Sequence, residues 1–139
     1  TLTKFRTMRM DAEADGPRWS EPDDTRLTPV GRWLRRTHID ELPNLWQVVR
    51  GQMSLVGPRP ERPEFVDWLE QEIPWYRARL IVQPGLTGWA QVNQGYGDSV
   101  DASRVKLEYD LYYIRHRSVW FDLAILLRTV WRMAGFKGR

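Results

Sequence analysis

The sequence predicts an α+β domain that is mainly α-helical, with a small β element. Several segments carry apolar residues at helical spacing between helix start and stop signals, whereas only residues 89–93 alternate as a strand does. Of the 139 residues, 42% are hydrophobic and 28% are charged, which is typical of a folded domain. We therefore expect residues 1–139 to form a single compact domain with one core.

Composition also excludes several kinds of structure. The longest aliphatic run, residues 123–127, is far shorter than the roughly 20 residues that a membrane-spanning helix needs. Because the chain has no cysteine, it has neither disulfides nor thiolate metal sites. Its two histidines, His38 and His116, lie too far apart to indicate a local metal motif, so we expect both to be structural or surface residues.

The first part of the chain predicts a loop and two helices. Residues 10–26 are polar and contain proline and glycine, which indicates a surface loop. Thr28 and Pro29 are typical of the N-cap and first residue of a short helix. A second helix is predicted to begin near Asp40 and to end at Gly51.

The middle of the chain combines turns with helix and strand patterns. Residues 54–60 contain two prolines and a glycine and are therefore not helical. Residues 61–74 are predicted as a helix that continues over residues 75–80. Residues 83–88 form a predicted turn cluster, and residues 89–93 form the predicted strand.

Two further helices are predicted at the end of the chain, over residues 100–115 and from Ser118 onward, after a loop at residues 94–99. On a helical wheel, the last helix has one polar sector, formed by Asp122, Arg128, Thr129 and Arg132, and a wide apolar arc. This pattern is compatible with a helix that docks on the core. It is equally compatible with an amphipathic membrane-interface helix, whose arginines face lipid headgroups and whose aromatic residues, Trp120, Trp131 and Phe136, lie in the acyl boundary.

The adjacent Asp40 and Glu41 are the first candidates for chemistry. They follow a stretch rich in arginine, at the predicted start of a helix. In the structural interpretation, Asp40 is an N-cap and Glu41 a first-turn acid. In the functional interpretation, the helix N-terminus and the arginines stabilise ionised Asp40, which suits a carboxylate nucleophile. Glu41 is then suited to hold a hard divalent cation through its oxygens.

Two other charged positions have similar alternatives. Arg59 lies between Pro58 and Pro60, which gives either an ordinary turn or a pre-oriented guanidinium for a phosphate. Asp110 lies four residues after Lys106 in a predicted helix, where an ion pair between the two is the structural interpretation.

Five segments together resemble the bacterial sugar transferase family, the monotopic polyprenyl-phosphate phosphoglycosyl transferases. They are KFRTMR at residues 4–9, RRTHIDELPNL at 35–45, MSLVGPRP at 53–60, PGLTGWAQVN at 84–93 and EYDLYYI at 108–114. Each segment alone is weak evidence for the family, but five segments in this order are highly specific evidence. The resemblance covers nearly the whole chain.

The resemblance implies an enzyme that transfers a sugar-1-phosphate from a UDP-sugar to polyprenyl (undecaprenyl) phosphate and releases UMP. It implies a Mg²⁺ requirement and a location at the cytoplasmic face of the bacterial inner membrane. Asp40 would be the nucleophile of a phosphosugar-aspartyl intermediate, and Glu41 would serve the metal. The substrate phosphates would be bound at the remaining matching positions, Lys4, Arg35, Arg59 and Asp110.

Two departures from the family pattern refine this expectation. The chain begins without an initiator Met and lacks the membrane-entering helix that precedes residue 4 in family members, so we expect it to be a catalytic-domain fragment. Residues 94–98 replace a Gly-Arg pair of smaller members. This longer loop resembles the large initiators of exopolysaccharide and capsule synthesis, which implies UDP-glucose or UDP-galactose as donor.

Other functions are compatible with parts of the sequence. A catalytically silent module that binds lipid at the membrane surface would also use the arginines and tryptophans. A nucleic-acid partner is not expected, because the net charge is only +3 and no nucleic-acid-binding motif is present. An exposed apolar face predicts self-association into a homo-oligomer when detergent is absent.

Overall fold

The computed structural model describes residues 3–14, 16, 24–94 and 99–134, and it confirms a mainly helical α+β arrangement with a small sheet. The α-helices and strands in chain order are α1 (Pro29–Arg36), α2 (Leu42–Val49), β1 (Ser54–Val56), α3 (Pro63–Glu72), β2 (Gly85–Thr87), α4 (Trp89–Asn93), α5 (Val100–His116) and α6 (Val119–Ala134). Two 3₁₀ segments, Ile39–Glu41 and Tyr76–Ile81, lie between them. Across the described ranges, no helix combines the length and the apolar character needed to span a bilayer.

The predicted start of α1 is confirmed, and the start of the second helix differs in detail. The Thr28 side chain accepts a hydrogen bond of 2.9 Å from the Gly31 N–H, and Pro29 is the first helical residue. Asp40 lies inside the 3₁₀ turn Ile39–Glu41 and not at an N-cap, and α2 begins only at Leu42. His38 precedes this turn with φ = 57°, in the left-handed region, so the chain reverses tightly just before Asp40.

The predicted strand was placed a few residues too late. Residues 89–93 form helix α4, whereas the strand β2 is Gly85–Thr87, inside the predicted turn cluster. It pairs in parallel with β1, with Ser54 opposite Gly85. A Cβ on Gly85 would lie 2.1 Å from the Gly57 backbone nitrogen, so the close approach of the two segments requires glycine. Gly85, which is typical of a turn in the sequence, is therefore required for the two strands to pack closely.

The prediction that residues 75–80 continue helix α3 is wrong, because Tyr76–Ile81 form a separate 3₁₀ helix and Trp75 lies just before it. The α3 helix ends before Pro74, and Trp75 has φ = 64°. A left-handed residue directly after a proline ends the α-helical path and turns the chain. This turn directs Tyr76 and Arg79 into the interior, where both are almost completely buried.

The core has two hydrophobic clusters. One joins α3, the following 3₁₀ helix and α5 through Val66, Leu69, Ile73, Tyr76 and Leu107. The other joins β1, α5 and α6 through Val56, Tyr113 and Ile125, with Trp89 and Phe121 packed against it. Helix α5 contributes to both clusters and therefore connects the two halves of the domain.

Helix α6 docks on the rest of the fold through its polar sector together with Ile125 and Phe121. Thr129 Oγ1 lies 2.7 Å from Thr87 Oγ1, and Asp122 Oδ1 accepts a hydrogen bond of 2.9 Å from the Tyr113 hydroxyl. Arg132 donates to the Gln91 carbonyl at 2.9 Å, and the Arg128 guanidinium lies over the Trp89 ring. Both arginines thus contact the protein while their side chains stay exposed, so the expectation that they face lipid headgroups remains a prediction.

The apolar arc of α6 remains largely uncovered by the described residues. Trp120 and Trp131 are each 82% exposed, whereas Ile125 is the one fully buried side chain over residues 119–133 of this helix. Other exposed apolar side chains of α6 are Val119, Leu123, Leu127, Val130 and Met133. Phe136 lies outside the described residues, as do parts of the two predicted loops at residues 10–26 and 94–99.

Candidate active site

A carboxylate held by two cations is the centre of the candidate site. Glu41 Oε1 lies 2.7 Å from Lys4 Nζ and 2.6 Å from an Arg59 terminal nitrogen. The Glu41 side chain is 17% exposed. Burial on its own would raise its pKa, but the charges of Arg59 and Lys4 outweigh that effect and lower the pKa of Glu41 to about 2. Glu41 is therefore fully ionised at neutral pH, and three separate chain segments meet at one oxygen atom.

Lys4 reaches this site because backbone hydrogen bonds hold the N-terminal segment against the start of α1 and the 3₁₀ turn Ile39–Glu41. The Phe5 N–H donates to the Asp40 carbonyl at 3.1 Å, and the Thr28 N–H donates to the Thr7 carbonyl at 3.0 Å. A Cβ on Gly31 would lie 1.9 Å from the Thr7 carbonyl oxygen, so α1 can approach this segment only through a glycine. The resulting path places Lys4 next to the turn that carries Glu41.

Asp40 precedes Glu41 in the same 3₁₀ turn and is 7% exposed. Its backbone is fixed by the hydrogen bond from Phe5, one residue after Lys4. The structure thus brings Asp40 to the Lys4–Glu41–Arg59 cluster through the backbone. The Asp40 side chain is thereby largely shielded from bulk water.

Arg59 is positioned by the loop that follows β1. The Gly57 N–H donates to the Thr87 carbonyl at 2.9 Å, and the Gly85 N–H donates to the Pro58 carbonyl at 2.9 Å. The small sheet therefore holds the residues on the N-terminal side of Arg59. Since proline fixes φ on both sides, the backbone path through Arg59 has little freedom.

Arg35 and Asp110, the other predicted phosphate-binding residues, lie in different surroundings. Arg35 donates through Nε to the Thr7 hydroxyl at 3.0 Å, so it contacts the segment that carries Lys4. Asp110 is 1% exposed and forms an ion pair with Arg79 at 2.7 Å. The predicted pair of Lys106 with Asp110 is wrong, because Lys106 binds Glu61 at 2.8 Å. A carboxylate so deeply buried and paired favours a positioning role for Asp110 over direct contact with a substrate.

Arg79 is the residue of this region that the sequence analysis missed. It is 1% exposed and donates to the Arg59 carbonyl at 2.8 Å, which links Asp110 to the candidate site. The only sequence signal was an arginine close to Tyr76, Leu80 and Ile81 in an apolar stretch. Such a buried cation requires a carboxylate partner, but the partner lies 31 residues away and has no local signature.

The comparisons place this chain in a known family. The sequence profile described as "Bacterial sugar transferase" matches residues 1–135. A "UDP-N-acetylgalactosamine-undecaprenyl-phosphate N-acetylgalactosaminephosphotransferase" of Aeromonas hydrophila is 46% identical over 129 residues, which cover 93% of this chain and 30% of the relative. An "Undecaprenyl-phosphate glucose phosphotransferase" of Komagataeibacter xylinus is 44% identical over 135 residues, covering 93% and 25%.

A third relative is similar over the same part of the chain. The "UDP-glucose:undecaprenyl-phosphate glucose-1-phosphate transferase" of Escherichia coli (strain K12) is 42% identical over 131 residues, covering 93% of this chain and 28% of the relative. The chain thus spans between a quarter and a third of the length of these three relatives. A family match over nearly the whole sequence, together with identities above 40%, shows that the chain belongs to the bacterial sugar transferase family.

Proposed function

We propose that this chain is the catalytic domain of a phosphoglycosyl transferase that moves a sugar-1-phosphate from a UDP-sugar to undecaprenyl phosphate and releases UMP. The observation that carries the proposal is the meeting of Lys4, Arg59 and Glu41 beside Asp40, in a chain of this family. Lysine and arginine at one point suit a diphosphate, since arginine binds phosphate oxygens in pairs and lysine acts as a point charge. The relatives' names supply the substrate classes.

In the proposed reaction, the Asp40 carboxylate attacks the sugar-bearing phosphorus of the UDP-sugar. A bond forms between a carboxylate oxygen and that phosphorus, while the bond to the bridging oxygen breaks and UMP leaves with the electron pair. A phosphate oxygen of undecaprenyl phosphate then attacks the same phosphorus and displaces Asp40, which regenerates the free carboxylate. Lys4, Arg35 and Arg59 stabilise the negative charge that develops on the phosphoryl oxygens.

We further propose that Glu41 holds Mg²⁺ when substrate is bound. The described residues contain no group of three or more acidic or histidine side chains that could bind a metal by themselves. Mg²⁺ nevertheless often uses only one or two carboxylates and takes its other oxygens from water and substrate phosphates. Ionised Glu41 fits that pattern, and the metal would supply neutralisation of diphosphate charge.

The nucleophile is tested with Asp40→Asn in the intact protein. Without acceptor lipid, a UDP-sugar labelled in the sugar should label the protein up to one equivalent, with matching release of UMP. Asp40→Asn should lose both signals. Asp67→Asn, which changes an exposed acid on α3, is the matched control and should retain them. Retention of UMP release by Asp40→Asn would show that another group is the nucleophile.

The donor sugar is a separate part of the proposal. We propose UDP-glucose or UDP-galactose, and the product would then initiate exopolysaccharide, capsule or O-antigen synthesis. The names of two of these relatives contain glucose as the transferred sugar, whereas the name of the Aeromonas relative contains N-acetylgalactosamine. Turnover of UDP-glucose, UDP-galactose and UDP-N-acetylgalactosamine by the intact protein tests the choice of donor. Turnover only with the N-acetylated donor would reject it.

The exposed apolar arc of α6 supports a location at a membrane surface, which we propose is the cytoplasmic face of the bacterial inner membrane. Large contiguous apolar patches on a protein surface typically mark sites of membrane or protein contact. Leu127→Glu and Trp131→Glu should each reduce co-sedimentation with anionic vesicles. Gln71→Glu, which places the same charge on exposed α3, should not.

A silent lipid-binding module is the competing function, because the apolar arc alone would also support it. The two functions differ in one result: the module would bind vesicles without any turnover of UDP-sugar. Self-association also remains a prediction, and sedimentation of the protein without vesicles would reveal it.

A further inference from the structure

We infer that buried Arg79 is a positioning residue that fixes the backbone of Arg59 and so places the Arg59 guanidinium at Glu41. The inference rests on the proposed function for its activity readout. It assigns a role to a buried cation whose contact with the Lys4–Glu41–Arg59 cluster is a hydrogen bond to the Arg59 carbonyl.

Arg79 connects three hydrogen-bond partners through one rigid group, which also lies 3.7 Å from a Glu61 carboxylate oxygen. Its Nε donates to Asp110 at 2.9 Å, and one terminal nitrogen donates to the Tyr76 hydroxyl at 2.9 Å. The other terminal nitrogen lies 2.7 Å from Asp110 and donates to the Arg59 carbonyl at 2.8 Å. A planar guanidinium presents its donors in a fixed fork, so fixing two partners determines where the third must lie.

Stability alone does not explain such a pair. A buried ion pair is often no more stabilising than apolar residues of the same volume, because both charges lose their hydration. Arg79 and Asp110 are each 1% exposed, and the Arg79 guanidinium lies over the ring of buried Tyr76. The contact that apolar residues could not provide is the hydrogen bond to the Arg59 carbonyl.

That bond completes the fixation of the Arg59 loop. The Gly85 N–H already holds the Pro58 carbonyl, and Arg79 holds the next carbonyl along the chain. With two consecutive carbonyls bound and a proline on each side, the peptide planes around Arg59 cannot rotate freely. The guanidinium of Arg59 is thereby held 2.6 Å from Glu41.

The test is a double-mutant cycle on sugar-phosphate transfer by the intact protein. Arg79→Lys keeps the charge beside Asp110 but cannot reach all three partners, so we expect kcat to fall about tenfold or more, as misplaced catalytic groups typically cause. In an Arg59→Lys background, which has already lost the bidentate group, the same change should cost less than about twofold. An equal loss in both backgrounds would overturn the inference.

A milder variant covers the case in which Arg79→Lys does not fold. Tyr76→Phe removes one anchor of the Arg79 guanidinium without changing the packed volume. Tyr76→Phe should lower kcat less than Arg79→Lys does, and in the Arg59→Lys background it should leave kcat unchanged. Tyr109→Phe on α5 is the matched control and should leave kcat unchanged.

A stability readout separates failure of the inference from failure of the proposed function. If the wild-type protein shows no turnover, the proposed function is wrong, and the cycle is then measured by urea unfolding. Glu41→Gln should lower the urea midpoint less in Arg79→Lys, or in Tyr76→Phe, than in the wild type, because the Arg59–Glu41 contact is already weakened. Equal shifts would overturn the role of Arg79 whatever the activity of the protein.

Discussion

The ion cluster at Glu41 makes a quantitative prediction about stability. Because the pKa of Glu41 falls from 4.5 to about 2 on folding, the folded state holds the ionised form more favourably than the unfolded state does. The difference corresponds to about 3 kcal/mol of unfolding free energy at neutral pH. With a side chain only 17% exposed, solvent screening should remove little of it.

The sign of the pH dependence follows from the lowered pKa. The stabilisation is fully present above pH 4.5 and is lost as the pH falls towards 2, where Glu41 becomes protonated in both states. Glu41→Gln imitates the protonated form, so it should destabilise the protein by about 3 kcal/mol at pH 7 and by almost nothing at pH 2.

Urea unfolding of the intact protein, followed by tryptophan fluorescence between pH 2 and 7, measures this difference. The free energy of the wild type minus that of the variant isolates Glu41 from other acids that titrate in the same range. Glu108→Gln, on the exposed side of α5, is the control and should show no pH-dependent difference. A Glu41→Gln effect that is constant across the pH range would refute the assignment of the stabilisation to the Lys4–Glu41–Arg59 charges.

Three further predictions concern the scaffold. Gly85→Ala should lower the unfolding free energy by about 1–3 kcal/mol, measured by urea unfolding, because its Cβ would overlap the Gly57 backbone. Thr129→Val should cost about 1 kcal/mol by the same measurement, since it leaves the buried Thr87 hydroxyl without that partner. Burial raises the pKa of Asp110 to about 6 despite the opposing charge of Arg79, so its contribution to stability is greatest below pH 3.8 and is lost as the pH rises through about 6. Asp110→Asn should remove that part of the pH dependence, as seen in the slope of unfolding free energy against pH.

The orientation of helix α6 differs from that of a typical amphipathic helix. Amphipathicity predicted a helix with one polar and one apolar side, and the usual assignment points the apolar side inward. Here the polar residues Thr129 and Arg132 bind the protein, while Trp120 and Trp131 face outward. The spacing alone does not determine which side of α6 meets the core, because the hydrogen-bond partners of its polar residues lie far away along the chain, as Thr87 and Gln91 do.

The sequence by itself determined the mainly helical fold, the capped start of α1, the extent of α5 and the start of α6 within a residue or two, because these depend on local capping and periodicity. It also indicated Asp40, Glu41 and Arg59 as candidates, through adjacent charges and a rigid Pro-Arg-Pro turn. Only tertiary structure decided that β2 lies at Gly85–Thr87, since a parallel strand is defined by a partner about 30 residues away. The pairing of Arg79 with Asp110 was likewise invisible in sequence, because a buried charge selects its partner through space and not along the chain.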